Sequence, residues 1–215
     1  AMDTGVAQRP VEDMEAYRRE LSARLDPTSS SLQLIHDQVR SNPRRVVFAE
    51  GEDDRVIRAA VQFKNAGYGE PILIGREDEV RRTMEELGFG NTSLEVHNAR
   101  LSERNQTYTD FLYSRLQREG FLARDCQRLV NQDRNVFGAC MVANGDADAM
   151  ITGVTRVFSV AFNEISRVVD PLPDQRLMGI SLVVASDRSL FIADTRVHEV
   201  PTAEELADIA VEAAQ

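Results

Sequence analysis

Between Arg45 and Asn98 the chain alternates short apolar runs with amphipathic segments, and no other feature of the sequence restricts the fold as much. RVVFAEG is too short for a helix and rich in valine and phenylalanine, so it predicts a strand. DDRVIRAAVQFKNAG places Val56, Ala59, Ala60 and Phe63 on one helical face and stops at Gly67, a C-terminal cap. PILIG predicts a second strand, EDEVRRTMEELG a second helix ending at Gly88, and SLEVHN a third strand. Such alternation predicts a doubly wound, mainly parallel α/β domain.

Two long helical segments follow, near Asn105–Glu119 and Asp125–Asn144, and then DAMITG as a strand. The next helix carries an apolar face of Phe158, Phe162, Ile165 and Val169, which puts Phe158 in the core. LMGISLVVAS and SLFIAD read as strands joined by a hairpin at Asp187-Arg188. Thr202 and Glu205 form a capping box. The helix they open has no stop signal before Gln215, so the sequence is expected to break off within it.

At the other end, residues 10–25 read as a sparse polar helix closed by Asp26-Pro27, because the residue before proline is pushed out of the helical region. A helix over Ser30–Arg40 follows, with Leu32, Leu34, Ile35 and Val39 as its stripe. The expected division is a cloning remnant (Ala1-Met2) and connector over 1–27, a first α/β domain over 28–145, and the start of a second, truncated α/β domain over 146–215.

Hydrophobic residues at 42% and charged residues at 28% are globular usage. A net charge of −10 argues against a nucleic-acid surface. Two cysteines, Cys126 and Cys140, are too few for a disulfide scaffold and read as reduced thiols. With no bilayer-length apolar run and no signal-peptide pattern, the expected location is the cytoplasm, away from membranes.

The stretch GDADAMITGVTRVFSV concentrates the candidate chemistry. A Thr-Gly turn between strand and helix presents backbone amides and the positive end of a helix dipole at the carboxyl edge of the sheet. Thr152, Thr155 and Ser159 add hydroxyls beside Gly153, and Arg156 adds a planar fork suited to phosphate. Two readings weigh equally: a phosphate-holding loop, or a joint in which Thr152 caps the helix and Arg156 is solvated.

Neither a dinucleotide fingerprint nor a P-loop is present, and GYG at Gly67–Gly69 is too short a match. The acidic turn EGEDD repels phosphate and suits a helix N-terminus. Asp146, Asp148 and Asp194 have the chemistry for Mg²⁺ but lie in different segments, so no metal site is assigned. His36, His97 and His198 are scattered, and only His198 sits among polar residues at a strand end.

RVVFAEGEDDRVIRAA, GDADAMITG and FIADTRVHEVPTAEELADIA, in this order, resemble the phosphate acetyltransferase/phosphate butyryltransferase family from about Ser30 to the end of the chain. DPTSSSLQLIHDQVRSNPRRVVFAEG, NARLSERNQTYTDFLYSRLQREG and DCQRLVNQDRNVFGACMVANGDADAMITGVTR look, more narrowly, like the acetyltransferase-like domain at the C-terminus of bacterial NADP-dependent malic enzymes. The resemblance implies a two-domain fold with acyl-CoA and acyl phosphate held between the domains. Thr152–Ser159 match the family's hydroxyl-rich loop, but Val157 and Phe158 replace small or hydroxyl residues. Arg156 stands where an active transferase often has His, and His198 where the family has Asn.

The Ser, Arg and Asp that the family uses further on have no counterparts here. No catalytic residue is therefore assigned. The resemblance instead implies a regulatory and oligomerisation domain that binds acetyl-CoA as an effector through Thr152, Gly153, Thr155, Arg156, Ser159, Asp194 and His198. The upstream malic-enzyme half of the same polypeptide would hold NADP and a divalent metal and decarboxylate malate to pyruvate. A fragment of an active phosphate acetyltransferase is the alternative.

Overall fold

A computed structural model describes residues 13–15, 17, 18, 21, 27–173, 175–184, 189–194 and 196–214. Ala1-Met2, most of the connector over 10–25 and the turn at Asp187-Arg188 lie outside the described residues. The chain divides into two compact units, Gln38–Asp170 and the remainder.

Helix α1 (Pro27–Ser41) opens on the proline expected to close the preceding helix, which fits because a first-turn residue needs no N–H partner. Its Leu32 and Ile35 stay exposed. Strand β1 (Arg44–Phe48) pairs in parallel with β2 (Gly69–Ile74) on one side and β4 (Ala149–Ile151) on the other, while β3 (Glu95–His97) joins β2. The order β3-β2-β1-β4 reverses direction between β1 and β4, so the topological switch point lies at the carboxyl ends of those two strands.

Side-chain alternation explains the layers. Val46, Phe48 and Leu73 face α2 (Asp54–Asn65) and α3 (Glu77–Glu86), where Ile57, Ala60, Val61 and Val80 are buried. Val47, Ile72 and Ile74 face the opposite layer, α4 (Asn105–Leu116), α5 (Ala123–Gln132) and α6 (Arg134–Ala143). There Tyr108 and Phe137 meet edge to face with centroids 5.3 Å apart. Helices on both faces of a parallel sheet are the doubly wound α/β arrangement expected.

The single helix expected over Asp125–Asn144 is two. Asp133 leaves helical geometry at φ −109°, ψ 116° and caps α6 by accepting from the amides of Asn135 and Val136 at 2.9 and 3.1 Å. A boundary expected at 145/146 falls inside the first unit, because β4 is a full member of its sheet and α7 (Phe158–Ser166) follows within the same unit. In the second unit β5 (Ile180–Val184) and β6 (Ser189–Ala193) form an antiparallel pair, and α8 (Ala203–Ala213) begins at the expected box. Thr202 and Glu205 exchange hydrogen bonds of 2.8 and 3.2 Å. No helix among the described residues is long and apolar enough to cross a membrane.

Candidate ligand-binding site

The segment after β4 runs beside the segment after β1 because the two strands are neighbours. Gly51 allows the close passage of β1's exit past β2: a Cβ there would lie 2.8 Å from Leu73 Cβ and 2.9 Å from the Ile74 carbonyl oxygen. The passage directs Glu50 across the switch point, where its side chain is almost wholly buried. The Glu50 carboxylate accepts from three consecutive amides, Gly153 at 3.0 Å, Val154 at 2.7 Å and Thr155 at 2.7 Å, and from the Thr155 hydroxyl. Such a run of amides is an anion cradle. Its anion here is part of the chain.

Burial alone would push the Glu50 carboxyl upward, but the Thr155 hydroxyl and the three amides outweigh it and hold the group below its ordinary range. The amides expected to be open to phosphate are thus already engaged. Helix α7 starts only at Phe158, with Val157 as its N-cap and no side-chain cap. Thr152 is not the cap. Its hydroxyl donates instead to Asn135 Oδ1 at 2.6 Å.

Arg156, though 40% exposed, is not left to solvent alone. Its Nη1 lies 3.3 Å from Asp133 Oδ2 and contacts Glu164 Oε1, while Asn135 Nδ2 donates to the other Glu164 oxygen at 2.7 Å. Two carboxylates meet one guanidinium here, leaving an excess negative charge. Burial, countered by the Asn135 bond and reinforced by the adjacent Asp133, leaves the Glu164 carboxyl above its ordinary range despite Arg156. Glu50, Asp133, Asn135 and Glu164 were missed as parts of this site. Of these only Asp133 carried a local signal, that of an N-cap.

Ser159 is exposed in the first turn of α7. Phe158, expected in the core, is 40% exposed and stacks on Phe162 at 5.3 Å. The buried line of α7 and its C-terminal extension runs instead through Ala161 and Val168, with Ile165 partly buried between them. The buried column lies to one side of the expected one, because Ala161, Ile165, Phe158 and Phe162 share one broad apolar arc of α7 and only its Ala161 side is covered.

The structure gathers Thr152, Gly153, Thr155, Arg156 and Ser159 at one junction of the first unit. Asp194 and His198 form their own cluster in the second. Asp194 has a φ of 50°, unusual for a residue with a side chain, and its carboxylate accepts from the amides of Val197 and His198 at 2.9 and 3.1 Å and contacts His198 Nδ1. Burial raises and the His198 contact lowers the Asp194 pKa, with a net fall.

The other acidic candidates have separate roles. Asp53 caps α2 and Asp54 sits in its first turn, so the macrodipole reading of EGEDD holds for these two. Asp146 accepts from the Tyr108 hydroxyl at 2.6 Å, and Asp148 accepts from the Arg45 amide at 2.8 Å. Among the described residues no cluster of three His, Cys, Asp or Glu is arranged to hold a metal ion.

A parallel sheet with helices on both faces and a structured loop at its switch point defines a doubly wound α/β protein. The chain belongs to the phosphate acetyl/butaryl transferase family, whose model matches residues 30–215. Over its whole length it is 52% identical to an NADP-dependent malic enzyme of Rhizobium meliloti, of which it spans 28%. It resembles the C-terminal part of such enzymes. A phosphate acetyltransferase of Nitratidesulfovibrio vulgaris is 27% identical over 89% of this chain and 27% of its own length. The EutD phosphotransacetylase from Staphylococcus aureus superposes with a TM-score of 0.77 at 25% identity, covering 86% of this chain and 56% of that one.

Proposed function

We propose that this chain is the acetyltransferase-like regulatory and assembly part of an NADP-dependent malic enzyme, with acetyl-CoA as its effector. The observation that carries this reading is the end-to-end similarity to malic enzymes, which exceeds that to phosphate acetyltransferases. In the proposal the upstream half holds NADP and the divalent metal and converts malate to pyruvate, in the cytoplasm.

The filled cradle supports a regulatory rather than a catalytic role. Acyl transfer needs donors aimed at charge that develops during the reaction. Here the amides after β4 are committed to Glu50, and Arg156 to two carboxylates. A phosphate-bearing effector touching Thr152, Gly153, Thr155, Arg156 and Ser159 would draw Arg156 off Asp133 and Glu164. Occupancy would thereby be linked to the packing of α5, α6 and α7, and a ligand that prefers one arrangement shifts the population toward it. Asp194 and His198 are also proposed as effector contacts. Homo-oligomer formation is supported by β5 and β6, where Leu182, Val183, Leu190, Phe191 and Ile192 are all exposed.

The test follows NADPH formation from malate by the full-length protein as acetyl-CoA is added. Ser159→Trp, bulky at an exposed position, is expected to raise the half-inhibiting concentration about tenfold, or ~1.4 kcal/mol. Insensitivity of the wild type to acetyl-CoA would remove the effector, and identical curves would remove the loop as its contact. The alternative, a phosphate acetyltransferase fragment, draws on the likeness to phosphotransacetylase structures. Formation of acetyl-CoA from acetyl phosphate and CoA by the full-length protein would favour it.

A further inference from the structure

Beyond the carboxyl ends of β1, β2 and β3 the first unit has an open cleft of about 500 Å³, none of whose lining residues belongs to the β4–α7 loop. Arg76, Arg100 and Arg134 line it against a single carboxylate, Glu52, in a chain whose net charge is −10. Glu52 links two of the three: Oε1 accepts from the Arg76 amide at 2.8 Å and from Arg76 Nε at 3.3 Å, and Oε2 accepts from Arg134 Nη2 at 2.6 Å. Both carboxylate oxygens are therefore in use. Arg76 also has Glu79 at 3.8 Å, whereas Arg134 has Glu52 as its one ion-pair partner among the described residues. Arg100, held by its amide on Asn98 Oδ1 at 3.0 Å, has an exposed guanidinium with no carboxylate partner among the described residues.

A guanidinium has five N–H donors in a fixed fork, so the bonds to Glu52 orient Arg76 and Arg134 and leave further donors on each. The lining thus combines surplus positive charge, planar donors and a concave wall at the edge where open parallel sheets take ligands. We propose that this cleft is a binding site for a small, multiply charged oxyanion, held by Arg100 and Arg134 with Arg76 at its rim. The site shares no residue with the acetyl-CoA reading, and although Arg134 lies between Asp133 and Asn135, the partners of Arg156 and Thr152, Arg100 touches neither of them and its variants test this cleft separately.

Calorimetric titration of the full-length protein at constant ionic strength tests the proposal, with pyrophosphate in one arm and succinate in the other. At least one probe is expected to bind saturably, and the stronger binder identifies phosphate or carboxylate as the preferred chemistry. Arg100→Ala removes an exposed side chain without a carboxylate partner, so the fold should persist. The loss of a charge-assisted contact should weaken binding about tenfold. Arg100→Lys should recover only part of it, because an ammonium lacks the planar fork. Saturable binding of neither probe, or unchanged affinity in Arg100→Ala, overturns the proposal.

Discussion

Replacing Glu50 by glutamine tests whether a built-in anion organises the switch point. The carboxylate belongs to a residue only 5% exposed and receives four hydrogen bonds, two on each oxygen. Glutamine keeps one acceptor and turns the other into a donor. With its NH₂ toward Thr155, the hydroxyl can rotate to accept, but the Thr155 amide is left facing a donor. The reverse orientation strands the amides of both Gly153 and Val154, so the first is preferred. One unmade buried bond, plus the loss of charge assistance on the rest, amounts to about 2–4 kcal/mol. Urea unfolding followed by circular dichroism would read this at neutral pH. Because the folded pKa of Glu50 lies below its ordinary 4.5, its contribution is present above that pH and is lost as pH falls through the folded value. The gap between wild type and Glu50→Gln should therefore narrow on acidification. Stability within about 0.5 kcal/mol of wild type at neutral pH would place the substitution among ordinary surface changes and refute the reasoning.

Arg156→Ala leaves Asp133 and Glu164 without their shared cation and should destabilise by about 1–3 kcal/mol, less than a fully buried pair because Arg156 is partly exposed. The folded pKa of Glu164 is raised, so its contribution is present at acid pH and lost as pH rises through the folded value; the variant's deficit should be larger at neutral than at acid pH in denaturant titrations. Cys126 and Cys140 are buried and free, and burial pushes the Cys140 thiol up to about 12, so both should resist a thiol reagent until the chain unfolds. The isolated chain should form no NADPH from malate and NADP, because it has no dinucleotide fingerprint.

Short-range patterning carried most of the architecture. The stop at Gly67 and the box at Thr202–Glu205 are properties of a few adjacent residues and have the predicted roles in the structure, whereas the apolar period found the helices but not every buried position: in α2 Val56 and Ala60 are buried as expected, Ala59 is exposed, and Ile57 and Val61 are buried instead. The same periodicity was least precise in α7, whose apolar arc is broader than the column that is buried. Phe158 and Ala161 are equally good core candidates by pattern, and only packing in the sheet-and-helix layers separates them. The break at Asp133 was written locally but hidden inside a longer helical pattern.

The loop after β4 marks the other limit. Its sequence offers amides, hydroxyls and an arginine, which fit an open anion site and an ordinary strand–helix joint equally well. Glu50, the group that fills the cradle, is 103 residues away from Gly153 along the chain. The carboxylates that hold Arg156 come from the α5–α6 junction and from α7. A side-chain pattern encodes which face of an element is buried, but not which element will lie beside it. The pairing of β1 with β4 brings the two strand ends together, and with that a set of donors that the sequence left open to a ligand acquires an internal partner.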